Sequence, residues 1–133
     1  MNSVSVGIDI ADVSRFRRRA FRKNSHFYNR IFTKQEIAYC LGRPDPFPHF
    51  AARFAAKEAV IKAVPSLGSV SLDVIEVVHS EGKPPHVRLG LRKNGLSAKD
   101  ISVSLSHAGK YVVACAVYVK HRGHNAGHLS KRG

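Results

Sequence analysis

Residues 3–10, SVSVGIDI, alternate without interruption: Val4, Val6, Ile8 and Ile10 fall on one side, Ser3, Ser5, Gly7 and Asp9 on the other. A period of two belongs to a β-strand, and its apolar side is the one expected to meet the core. Asp9 is therefore expected on the polar face, near the strand's end. Asp12 and Ser14 then suit a helix start. That helix would carry Val13, Phe16 and Ala20 on one side and Arg15, Arg18, Arg19 and Arg22 on the others, and stop at Asn24-Ser25. A second short helix is predicted over FTKQEIAYC, because Thr33 is a good N-cap and Glu36 completes a capping box. Gly42 and Pro44 end it. The strongest helix covers residues 50–64, FAARFAAKEAVIKAV, which is alanine-rich and free of internal glycine or proline. Phe50, Phe54, Ile61 and Val64 recur at roughly helical spacing, and Pro65 stops the run.

Beyond Pro65 the period changes. SLDVIEVVHS (71–80) and HVRLGL (86–91) read as strands joined through Glu81-Gly82-Lys83-Pro84. KNGLSAKD is a turn or short helix, and ISVSLSH and YVVACAVYV form a hairpin around Ala108-Gly109-Lys110. The last strand is apolar on both faces and is expected to be central, or covered by a helix. Strand, helices, then four strands predict an α+β domain, a mostly antiparallel sheet with a long helix packed across it. The domain is expected to span residues 1–119, and the basic segment 120–133, with no apolar pattern, to be a disordered tail.

At 133 residues the chain suits one domain with a real but thin core. A deep active site would then need walls from a second subunit. The net charge of +13 changes the picture of partners and not of fold. The basic residues concentrate in RFRRRAFRK (15–23) and in the tail, so nucleic acid, anionic lipid, an acidic protein and a phosphate-rich ligand all fit. Cys40 and Cys115 show no metal-ligand spacing, sit among apolar residues and are expected to be buried free thiols in a reducing compartment. No apolar run is long enough to span a membrane and no signal peptide is evident, so a soluble, cytoplasmic protein is expected.

Several candidate chemistries drop out. The chain has no Walker A loop, no GxGxxG, no GxSxG elbow, and no HExxH or CxxC for zinc. What remains is RFAAKEAVIKA, in which Arg53, Lys57, Glu58 and Lys62 lie within three turns. A Glu58–Lys62 salt bridge on a solvated face is the bland reading. Alternatively, Asp9 and Glu58 make a hard-metal pair, since Mg²⁺ takes one or two protein carboxylates and otherwise water and phosphate oxygens. Arg53, Lys57 and Lys62 would then serve the phosphates. Ser106 and His107, at the end of SLSH, are either a polar strand edge or a phosphate contact.

These pieces, in this order, resemble the holo-acyl-carrier-protein synthase type of 4′-phosphopantetheinyl transferase. The resemblance rests on GIDIADVSRF, FTKQEIAYC, ARFAAKEAVIKA, DVIEVV with GKPPHVRL, and VSLSHAGKYVVACAVYV, which together run from about residue 4 to 119. It implies the 4′-phosphopantetheinyl transferase fold and an enzyme of lipid metabolism. Such an enzyme transfers phosphopantetheine from coenzyme A to a serine of apo-acyl carrier protein, for fatty acid biosynthesis, and releases adenosine 3′,5′-bisphosphate. It implies Mg²⁺ on Asp9 and Glu58, with Glu58 also available as a base, and Lys62 on the pyrophosphate. Arg53, Ser106 and His107 would meet coenzyme A phosphates, and Lys83 and Pro84 would border the adenosine. Arg15 and its basic neighbours Arg18 and Arg22 would meet the acidic carrier protein. A homotrimer with active sites between subunits is implied as well. The chain departs from the family pattern at VPSLGSVS, where a glycine-rich turn is usual, and at Asp12, where a glutamate is usual. The alternative of a small basic nucleic-acid-binding protein would need neither Asp9 nor Glu58.

Overall fold

In the computed structural model, which describes residues 2–79 and 82–121, the longest helix lies across a three-stranded sheet. The strands are β1 (Ser3–Asp12), β4 (Ile101–Ala108) and β5 (Tyr111–Lys120), in the order β1-β5-β4, all antiparallel. Strands β2 (Ile75–Val78) and β3 (His86–Leu89) form a separate antiparallel pair. The α+β expectation holds, with two sheets where one was predicted. Only the last part of 71–80 extends, because Leu72–Val74 first make a 3-10 turn. The β4–β5 hairpin turns on Gly109-Lys110, and Gly109 has φ 58°, as the first position of a type II′ turn requires. The tail from residue 122, like Glu81 of the predicted turn, lies outside the described residues.

Four helices follow β1. Helix α1 (Val13–Arg17) is capped by Asp12, whose carboxylate accepts from the Ser14 backbone N–H at 2.9 Å. It is shorter than predicted. After a 3-10 turn at Phe21–Lys23, the unpredicted helix α2 (Ser25–Ile31) begins where the sequence pattern had set a stop. Its Tyr28 and the Phe16 side chain are fully buried, so tertiary packing of aromatics outweighs the polar turn signal. Helix α3 (Lys34–Leu41) has the predicted capping box between Thr33 and Glu36. Helix α4 (Pro46–Ala63) starts four residues earlier than predicted. Pro46 and Pro48 fit there because first-turn N–H groups have no intrahelical acceptor.

The facing of β1 reverses the expectation. Val4, Val6, Ile8 and Ile10 are 59–64% exposed, whereas Gly7 and Ala11 are buried against α4. The reason is distance. The sheet face of α4 is Ala51, Ala55, Ala59 and Ala63, all fully buried, and α4 comes so close that a Cβ on Gly7 would overlap the Ala59 carbonyl oxygen and lie 2.7 Å from the Ala63 nitrogen. Only small residues fit between strand and helix, so the larger apolar side chains turn outward. The same face of β5 carries Val113, Cys115, Val117 and Val119, each half-buried, while Val112, Ala114, Ala116 and Tyr118 point into the core.

Candidate active site

Gly7 brings β1 against the last turns of α4, and the Ser5 hydroxyl donates to the Ala63 carbonyl there. Two residues along the strand, Asp9 faces the helix, and Lys62 Nζ bonds its Oδ1 at 3.2 Å and the Ile8 carbonyl at 2.9 Å. Glu58 precedes Lys62 by one helical turn and shares its side of α4. It is half-buried and makes no hydrogen bond or ion pair among the described residues. The Glu58–Lys62 bridge of the bland reading is therefore not formed; Lys62 turns to the strand instead. One more turn back, Phe54 carries the Arg15 guanidinium 5.1 Å above its ring, which sets Arg15 beside this group. Arg18 donates to the Ser14 hydroxyl at 3.2 Å, Arg17 is held in a two-bond pair with Asp45, and Arg22 is exposed.

Arg53 belongs to a different side. At about 100° per residue, Lys62 lies opposite Arg53 around the helix and Glu58 about 140° away. Arg53 is 2% exposed and has no carboxylate partner among the described residues. Its Nη1 and Nη2 reach the His49 and His79 carbonyls at 3.4 and 3.3 Å, its Nε is buried without a partner among the described residues, and its guanidinium stacks 4.4 Å from the Tyr39 ring. It lines a cavity of about 720 Å³ together with Arg17, His49, His79, His107 and Lys110, over a floor that includes Val13, Pro48, Leu105 and Val112. Burial and the neighbouring Arg53 charge hold the His49 and His79 imidazoles below their usual range. Lys83 and Pro84 are exposed and are not among the residues that line this cavity; they follow His79, which is. A cationic rim over an apolar floor suits a flat base carrying a phosphate.

The sequence did not point to His49, His79 or Lys110. His49 sits one turn before Arg53, a spacing that could have marked it; His79 and Lys110 arrive from distant segments. Ser106 and His107 point to opposite faces of β4: His107 lines the cavity, while Ser106 is exposed on the outer sheet face, paired with Val113.

Lys57 corrects an expectation. It is fully buried, and its ammonium donates to the Ile31 carbonyl at 2.8 Å, Glu36 Oε1 at 2.6 Å and the Leu72 carbonyl at 3.1 Å. Burial pulls its pKa down and the Glu36 carboxylate opposes that. With all three protons engaged in the core, it has none for a ligand phosphate. Cys40 is free and fully buried, and burial pushes its thiol up to about 12.

The class follows from the fold and from comparison with known families. Residues 5–116 match the 4′-phosphopantetheinyl transferase superfamily, and the chain belongs to it. Its curated relatives include holo-[acyl-carrier-protein] synthases. That of Chloroherpeton thalassium is 40% identical, covering 86% of this chain and 96% of the relative, and that of Moorella thermoacetica 41% identical, covering 86% and 92%. Among solved structures, a Chronobacterium ammoniagenes ACPS–CoA complex aligns with a TM-score of 0.69 and 26% identity, covering 90% of this chain and 99% of the other. A Bacillus anthracis holo-(acyl-carrier-protein) synthase in complex with CoA (3′,5′-ADP) aligns with a TM-score of 0.68 and 27% identity, covering 88% and 96%.

Proposed function

We infer that this chain transfers 4′-phosphopantetheine from coenzyme A to a serine hydroxyl of apo-acyl carrier protein and releases adenosine 3′,5′-bisphosphate. The observation that carries the reading is Asp9, on a strand, meeting Lys62 one turn beyond Glu58 on the helix packed against it. Asp9 and Glu58 would hold Mg²⁺. The donor set fits, because both are hard oxygen ligands and Glu58 has no other partner among the described residues. No cluster of three or more His, Cys, Asp or Glu occurs among those residues, and a cation sharing two carboxylates with water and phosphate oxygens needs none. When bound, Mg²⁺ screens the pyrophosphate charge. Lys62 binds the pyrophosphate, and a Glu58 oxygen accepts the serine proton as the serine oxygen attacks phosphorus and the bisphosphate leaves. Arg53 and His107, with Lys83 and Pro84 at the border, bind the phosphate-bearing adenosine end. Arg15, Arg18 and Arg22 steer the acidic carrier protein.

We further infer a homotrimer with each site shared between subunits. Asp9, Glu58 and Lys62 lie on the side of α4 opposite Arg53, so one coenzyme A would reach both sets where two copies meet. The uncovered apolar face of β1 and β5 supports such an assembly, as patches of this kind mark interfaces. The free, buried Cys40 supports a cytoplasmic location, where the product would serve fatty acid biosynthesis.

The test is direct. With coenzyme A, Mg²⁺ and an apo-acyl carrier protein, the carrier should gain the mass of one phosphopantetheine by mass spectrometry. No gain across several carrier proteins would sink the reading.

A further inference from the structure

Lys57 immediately precedes Glu58, and its surroundings are built differently from the rest of α4. Against the sheet, α4 offers a row of alanine methyls, and β1 offers Gly7. Such surfaces approach closely but have shallow ridges, so they resist a rotation of the helix about its own axis only weakly. A rotation of 20° would sweep a side-chain tip by about 2 Å at the outer radius of a helix. Reacting groups must be held within about 0.5 Å.

The opposite restraint comes from Lys57. Its three bonds run in three directions: to the end of α2 at Ile31, to the 3-10 turn before β2 at Leu72, and to Glu36 on α3. Glu36 is itself locked, since Oε1 also accepts from the Thr33 N–H and Oε2 from the Val77 N–H, both at 2.8 Å. Thr33 Oγ1 donates to Glu76 at 2.7 Å, which extends the network along β2. Every member of the Glu36–Lys57 contact is dry, at 2% and 0% exposure. A buried ion pair is a poor source of stability, because apolar side chains of similar volume hold a fold as well or better. What three divergent, charge-assisted bonds supply is direction.

We propose that the Glu36–Lys57 pair is a positioning device that sets the axial rotation of α4 and thereby aims Glu58 and Lys62 at Asp9. The inference rests on the metal and base roles given to Asp9 and Glu58 above. Lys57 and Glu58 are about 100° apart on one rigid helix, so any turn that breaks the Lys57 bonds moves Glu58 by the same angle. Lys57 touches neither substrate nor metal; it acts through its neighbour.

The experiment uses the full chain and Mn²⁺ alone as the probe, read by electron paramagnetic resonance without coenzyme A. The double variant Glu36→Gln/Lys57→Met removes both charges and leaves neither unpaired. It is expected to keep the native circular dichroism and a cooperative unfolding transition. Mn²⁺ binding should weaken about tenfold or more, the usual effect of loosening a residue that orients a metal ligand. The kcat should fall with it, while KM for the carrier protein stays unchanged because Arg15, Arg18 and Arg22 are untouched. Native Mn²⁺ affinity and native kcat in the folded double variant would overturn the proposal and leave the pair a purely structural one. Should that chain fail to fold, the isosteric Glu36→Gln alone is read the same way: weaker Mn²⁺ binding supports the proposal, unchanged binding overturns it. Failure of the underlying reading looks different. Asp9→Asn in an otherwise native chain would leave Mn²⁺ binding untouched, and the positioning role would fall with the site.

Discussion

Gly7 is the residue on which the approach of helix to strand depends. A methyl there would collide with backbone of α4, not with a side chain that can swing away. Gly7→Ala is expected to destabilise the chain by about 1–3 kcal/mol, the usual range for overpacking, measured by urea unfolding. Transfer activity should fall with it, because relief of the clash pushes Lys62 and Glu58 away from Asp9. Asp9→Asn and Glu58→Gln should behave in the opposite manner, with unfolding curves close to native and turnover lowered about a hundredfold or more, as expected when several kcal/mol of charge stabilisation is lost. Near-native turnover in either variant would mean that these carboxylates do not hold the metal.

At the level of elements, the hairpin, the capped α3 and the long helix were legible because each carries a local signal: a turn glycine, a capping box, a run of alanines. The facing of β1 was not. Alternation names two faces without saying which is covered, and here the small face is covered because α4 needs to come close. Lys57 was misread for a related reason. In sequence it is one cation among three, and only the arrival of Glu36 from α3 makes it a buried one. Asp9 and Glu58 could be named from their motifs, and helical spacing alone sets Lys62 opposite Arg53, but which side meets Asp9 and which the His79 cavity emerges only when the helix is set on the sheet. Helix α1 offers its own test. Arg15 and Arg18 stand free of carboxylate partners among the described residues, whereas Arg17 is tied to Asp45. Arg15→Glu/Arg18→Glu should lower kcat/KM for the carrier protein and flatten its salt dependence, with KM for coenzyme A little changed. An unaltered salt response would place the carrier elsewhere.

For the molecule as a whole, the response of stability to pH and the state of assembly are both open to measurement. Burial and the Arg53 charge depress the folded-state pKa of His49 and His79 from 6.5. As pH falls, the unfolded chain therefore takes up these protons first. Their contribution is fully present above the unfolded value and is lost as pH drops through 6.5 toward the folded values. Thermal unfolding between pH 8 and pH 5 should show that decline, and His79→Gln should flatten part of it. The proposed trimer is tested on the exposed face of β1: Val6→Glu should shift the sedimentation coefficient from that of three chains to that of one and abolish transfer, while a coefficient the substitution leaves unchanged would overturn an interface on this face. The two-sided arrangement around α4 also has a genetic consequence. A chain crippled on one side still has the other side intact, so two inactive alleles can repair each other. In the proposed trimer, Glu58→Gln and Arg53→Met subunits unfolded together and refolded as a mixture should regain about a quarter of native activity, since a site survives where the intact halves of two neighbours meet. Cells carrying both alleles would regain the transfer activity that neither allele supplies alone.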